Sequence, residues 1–126
     1  LPDNLNVEGN LDLYGSILSS LPDNLKVGGF LDLSYTRITS LPDNLQVGGA
    51  INLRHTPITT LPDNLQVRGD LNLKNTKIIS IPDNLKVERN IWLESTPLSK
   101  KYDKKKIIKM ILDKGGYFKG NLYGVD

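Results

Sequence analysis

The chain contains no cysteine. Disulfide cross-links, thiolate zinc sites, iron–sulfur clusters and a cysteine nucleophile are therefore excluded. A single histidine, His55, excludes a multi-histidine metal cage and a two-histidine metalloprotease motif. No apolar run approaches the ~18 residues of a membrane-spanning helix. Charge of one sign is also scarce: the net charge is +2 over 126 residues, too little to dictate a polyanionic partner. The length suits one ordinary domain.

What is present is a repeat. LPDNL opens at residues 1, 21, 41 and 61, and IPDNL at residue 81, a period of 20 residues without slippage. The shared pattern is LPDNLxVxGxLxLxxTxIxx. Positions 1, 5, 7, 11, 13 and 18 are aliphatic in every copy, as in Leu41, Leu45, Val47, Ile51, Leu53 and Ile58. One 20-residue unit cannot bury six aliphatics alone, whereas stacked units lay each column on the next. Positions 10–14 alternate as a strand does, with 11 and 13 facing inward and 10, 12 and 14 outward. Gly9, Gly29, Gly49 and Gly69 precede the strand and predict a bend or close packing there, with Arg89 as the exception. Pro-Asp-Asn-Leu is turn chemistry and predicts a single 3₁₀ or α-turn.

These residues resemble a family. The spacing L-x-L-x-x-T-x-I-x-x-L-P-x-x-L is similar to the short leucine-rich repeats of bacterial effectors. It looks closer to leucine-rich-repeat-like proteins of phages and bacteria built from LPDNLxVGGxLxLxxTxI units. The resemblance covers residues 1–99 and extends into the C-terminal segment. Threonine (Thr36, Thr56, Thr76, Thr96, with Ser16 first) stands where those repeats carry a ladder asparagine. Position 7 holds the apolar residue (Val27, Val47) four places before the strand leucine rather than three, so the coil cross-section is expected to differ from a standard horseshoe. Effector relatives carry a cysteine-dependent catalytic domain, which a cysteine-free chain does not share. Binding is the function expected of a rigid sheet face that presents varied residues, and the lack of cysteine and of a signal peptide leans toward the cytoplasm of a bacterial or phage-infected host cell. An inhibitor docking on a host nucleic-acid-handling complex and a structural module of a phage particle are the alternatives.

From residue 100 the repeat stops. Residues 100–126 hold eight lysines against three aspartates, a net +5, while residues 1–99 hold eight basic against eleven acidic residues, a net −3. Residues 103–114 read as a helix, with Asp103 as N-cap, an apolar face of Ile107, Ile108, Met110, Ile111 and Leu112, and Gly115 just past its end. Residues 117–123 then resemble the first repeat around Val7-Glu8-Gly9-Asn10-Leu11-Asp12 and predict a closing strand. A solenoid end exposes apolar ladders and an unpaired edge, so a cap is expected. The fold class is thus a β-solenoid, leucine-rich-repeat-like: five 20-residue coils over residues 1–99 and a helix-plus-strand cap over 100–126. The chain opens in mid-pattern on Leu1 rather than Met. Either more chain precedes it, or that end meets a partner or a second copy, which would allow self-association through the solenoid ends.

The candidate chemistry is sparse. Asp3, Asp23, Asp43, Asp63 and Asp83 form a carboxylate column that is read as capping N–H groups of its own turn, the alternative being a calcium ladder or a phosphate-backbone mimic. The threonine column is read as buried hydroxyls satisfying loop backbone. An ice-binding face would want T-x-T, but aliphatic Ile38, Ile58 and Ile78 lie two residues on. His55 has no nucleophile context, so the chain is not expected to be an enzyme, and neither metal nor cofactor is implied. The outward columns vary from repeat to repeat, as a recognition surface does. Tyr14, Phe30, Tyr35, Arg54, His55, Lys74 and Trp92 are the candidate contacts to a protein partner; Trp92 could instead pack beneath the cap helix. Lys104, Lys105, Lys106 and Lys109 are candidate anion contacts, through which nucleic acid would be the less favoured partner.

Overall fold

The computed structural model describes residues 1–126. Each repeat contributes two strands of two residues. They are β1 (Asn6–Val7) and β2 (Leu11–Asp12), β3 (Lys26–Val27) and β4 (Leu31–Asp32), then β5 (Gln46–Val47) and β6 (Ile51–Asn52). The series continues with β7 (Gln66–Val67) and β8 (Leu71–Asn72), then β9 (Lys86–Val87) and β10 (Ile91–Trp92). After them come α1 (Pro97–Lys101), α2 (Lys104–Asp113), β11 (Tyr117–Phe118) and β12 (Leu122–Tyr123). Strands pair only with the equivalent strand one repeat away, always parallel: Leu11 beside Leu31, Leu31 beside Ile51 and so on. The molecule is a parallel β-solenoid. No helix is long and apolar enough to cross a membrane.

A parallel coil must leave the sheet after each short strand and return one strand spacing along the axis. The repeat does this with two corners. At position 4, Asn4, Asn24, Asn64 and Asn84 take positive φ, and at position 15 so do Gly15, Tyr35, His55, Asn75 and Ser95. The expected 3₁₀ turn at Pro-Asp-Asn is instead a two-residue turn centred on Asp and Asn, because left-handed asparagine reverses the chain more tightly. The expected strand at positions 10–14 is likewise shortened to 11–12, and positions 6–7 form a second strand that alternation alone did not reveal.

The aliphatic columns converge on one core of 26 buried residues, running from Leu25 and Val27 to Ile111 and Leu122. Between them run polar ladders. Asn24 Nδ2 donates to Asn4 Oδ1 (2.8 Å), Asn44 Nδ2 to Asn24 Oδ1, and Asn84 Nδ2 to Asn64 Oδ1 (2.9 Å). The asparagine ladder therefore sits at position 4, not at the threonine position. Thr36, Thr56, Thr76 and Thr96 are buried, and each hydroxyl donates to the carbonyl three residues back within its own coil, at 2.6–2.9 Å. The Asp3 column does not cap its own turn; Asp63 Oδ1 accepts instead from the Asp83 N–H of the next repeat (2.9 Å).

The sheet of positions 6–7 is split. β1, β3 and β5 form one three-stranded sheet, and β7, β9 and β11 another. Elsewhere each such pair carries two flanking bonds, as in Gln46 N–H to the Leu25 carbonyl (3.1 Å) and Gly48 N–H to the Val27 carbonyl (2.8 Å). The equivalent bonds from Gln66 and Arg68 are missing. Position 8 supplies the reason. A Cβ built on Gly28 would overlap the Glu8 carbonyl oxygen, and one built on Gly48 would overlap that of Gly28. The next repeat has Arg68 there, whose Cβ forbids the same approach to Gly48. Glu88 and Lys119 also bear side chains, but each follows a residue that does, and their coils keep both flanking bonds. The seam lies at the one step from a glycine to a side chain at position 8, beside a groove of about 550 Å³, and Asn44 alone in its column lacks positive φ.

At the C-terminal end α1 begins inside the fifth repeat, with Thr96 and Ser99 forming a reciprocal cap and Leu98 filling the position-18 column. The helix expected over 103–114 is α2, capped by Asp103, whose side chain accepts from the Lys106 N–H (2.8 Å). Ile107 and Ile111 seal the core. Gly115, at φ +83, occupies the register of the left-handed asparagines. β11 then pairs with β9 and β12 with β10, continuing both sheets.

Candidate interaction face

The six-stranded sheet runs β12-β10-β8-β6-β4-β2. Its outward columns divide by role. Column 12 is structural in four repeats: Oδ1 of Asp12, Asp32, Asn52 and Asn72 accepts the N–H two residues on, at 2.9–3.1 Å. Column 10 does the same between repeats, Asn10 holding the Phe30 N–H and Asp70 the Asn90 N–H, both at 2.9 Å. Much of the variation that reads as recognition surface therefore interchanges residues able to accept one hydrogen bond.

What remains lies along columns 14 and 15. In four repeats the position-15 N–H donates to the position-14 carbonyl of the next repeat, as His55 does to Lys74 (3.0 Å). That bond ties the left-handed corner to the next coil, and Ser95 takes the same φ without it. Tyr35 and His55 stack at 4.4 Å and 14°, and Tyr14 tilts against Tyr35 at 5.2 Å. Asn75 extends the row, its amide nitrogen 3.2 Å from His55 Nε2. The Arg54 guanidinium lies 5.4 Å from the Tyr35 ring centre. Its Nε is buried without a hydrogen-bond partner.

A second stack stands one repeat further along. Trp92 departs from the Asp/Asn rule of column 12 and lies against Tyr123 of the closing strand at 4.2 Å, rather than beneath the cap helix. Lys74 Nζ sits 4.8 Å from the Trp92 ring and 3.7 Å from Glu94 Oε2. Tyr123 was not among the sequence-derived contacts. The likeness of residues 117–123 to the first repeat places it in Trp92's column and was the signal available.

Of the sequence-derived residues, Tyr14, Tyr35, Arg54 and His55 form one cluster, and Lys74 and Trp92 form the adjoining one. Phe30 is exposed at the other edge of the strand and joins neither stack. Lys104, Lys105 and Lys106 occupy the first turn of α2 without ion pairs, while Lys109 pairs with Asp113. Lys105 and Lys106 stand one helical turn before Lys109 and neighbour it on the helix surface. No three acidic or histidine side chains converge as a metal site would require. No protein-family model matches the chain, nor does any curated protein or solved structure.

The resolved charge perturbations lie away from this face and hold the cap. Glu88 accepts from Lys119 (2.7 Å) and from the Tyr117 hydroxyl (2.8 Å). Those bonds hold the Glu88 carboxyl below its ordinary range and raise the Lys119 ammonium and the Tyr117 hydroxyl above theirs.

Proposed function

We propose that this chain is a non-catalytic protein-interaction module whose recognition face is the Tyr14–Tyr35–His55 row with Arg54. One observation carries the reading. Position 15 demands positive φ, which Gly15 and Asn75 adopt readily. Tyr35 holds the same conformation at φ +59, where a bulky residue is strained, and His55 stands beside it at φ +57. Neither ring repays that strain by filling the core, since Tyr35 is 44% exposed and His55 is exposed as well. Strain kept for an exposed aromatic stack is accounted for by something outside the chain. Tyr and Arg are also the residues that carry most binding energy in protein interfaces. The non-catalytic part of the reading rests on His55, whose ring is committed to Tyr35 and Asn75 in an open face rather than an enclosed pocket.

The test is affinity capture with wild type and with Tyr35→Gly/His55→Asn. Both replacements favour the local backbone, so the fold is kept. A protein retained by wild type and lost by the double variant is expected, with unchanged circular dichroism. Identical captured sets would overturn the reading.

A further inference from the structure

The two adjoining clusters place Arg54 and Lys74 side by side. Both occupy column 14, and the His55 N–H bond to the Lys74 carbonyl fixes their coils one strand spacing apart. Their charged groups lean apart, the Arg54 guanidinium toward Tyr35 and the Lys74 ammonium toward Trp92 and Glu94. Lys74 has Glu94 at 3.7 Å, whereas Arg54 has no ion pair and a buried, unpartnered Nε. Rings wall the pair on both sides: Tyr35 and His55 toward one end, Trp92 and Tyr123 toward the other. Beside it the small Ala50 leaves a shallow depression of about 310 Å³, bordered by Asn52, Asn72, Lys74 and Trp92. Asp70 lies on its rim, with Oδ1 already accepting from Asn90.

We propose that this dibasic step is a docking site for an acidic peptide segment of the protein partner, one carboxylate binding between Arg54 and Lys74. The proposal rests on the interaction reading above and gives its partner a chemistry. An incoming carboxylate gives the Arg54 guanidinium the anionic partner that it lacks within the chain. The low-lying Asn52–Asn72 floor admits an extended chain across the strands.

A single-stranded nucleic acid would also bring negative charge, but the rings are arranged against it. Base stacking needs open ring faces. Tyr35 lies between His55 and Tyr14, His55 between Tyr35 and Asn75, and Trp92 between Tyr123 and Lys74. The repeat region also carries a net −3, which repels a phosphate backbone more than it repels one acidic side chain.

Trp92 is the only tryptophan, and Lys74 touches its ring, so its fluorescence reports on the site. The probes are pentaglutamate, pentaserine, pentalysine and the single strand dT10, none of which contains tryptophan. Pentaglutamate is expected to shift the emission saturably, and Arg54→Gln to weaken it about tenfold or more, as loss of a charge-assisted contact would. Pentaserine or pentalysine binding as tightly overturns the acidic assignment. Tighter binding of dT10 overturns it in favour of nucleic acid, and no response to any probe overturns it too. The interaction reading fails separately, only if the Tyr35→Gly/His55→Asn capture is unchanged.

Discussion

Gly48→Ala recreates, between the second and third repeats, the step from glycine to a side chain that the structure shows at Gly48 and Arg68. The added Cβ would overlap the Gly28 carbonyl oxygen, a backbone atom fixed by its own coil. The third coil must then withdraw. It gives up the bonds from Gln46 N–H to the Leu25 carbonyl (3.1 Å) and from Gly48 N–H to the Val27 carbonyl (2.8 Å). Each backbone bond contributes about 0.5–1.5 kcal/mol net, so the loss is about 2 kcal/mol. Alanine returns about 0.5 kcal/mol by stiffening the unfolded chain. A net loss of about 1.5 kcal/mol lowers the midpoint of a domain this size by about 6 °C. Amide exchange is the sharper assay. In wild type the amides of Gln66 and Arg68 are expected to exchange faster than those of Lys86 and Glu88, which keep both bonds. In Gly48→Ala the amides of residues 46 and 48 should join the fast set. If they keep wild-type protection and the melting point is unmoved, contact at position 8 does not govern the pairing of this sheet.

Three further outcomes follow from the same geometry. Arg68→Gly removes the Cβ that holds the seam open, so amide protection at residues 66 and 68 should rise; unchanged exchange there would assign the seam another cause. Thr56→Val leaves the buried Leu53 carbonyl without its 2.7 Å donor and should cost about 1–2 kcal/mol in a denaturant titration, whereas Thr60→Val, on the exposed loop, should cost little. Glu88 is lowered by Lys119 first and then Tyr117, so its stabilisation is present above the unfolded carboxylate range and fades as pH falls through the folded value. Lys119 and Tyr117 are raised mainly by Glu88, so theirs fades only as pH rises past their folded values. Protection of the Tyr117 and Lys119 amides, corrected for intrinsic exchange, should therefore drop in acid in wild type but not in Glu88→Gln.

The repeat alone determined the solenoid. Six aliphatic columns at a 20-residue period have only one way to leave water, which is to stack, and Ile107 and Ile111 at helical spacing announced the cap. The sequence also held the register of the closing strand, since Leu122 falls where Leu11 does. Three things needed the third dimension. Whether Asp12, Asp32, Asn52 and Asn72 vary for recognition or for capping depends on which N–H lies within 3 Å, and composition does not carry that distance. The seam was hidden because a glycine-to-arginine change at position 8 looks like surface variation until the carbonyl of the preceding coil is seen in its path. The face itself was legible residue by residue but not as an arrangement. Tyr35, Arg54, His55 and Lys74 were all visible, but the stacking of Tyr35 on His55 beside Arg54 and Lys74 comes with the left-handed corner at position 15. In four of the five repeats a hydrogen bond from that corner to the next coil fixes its place beside its neighbours, and only the stacked chain provides one.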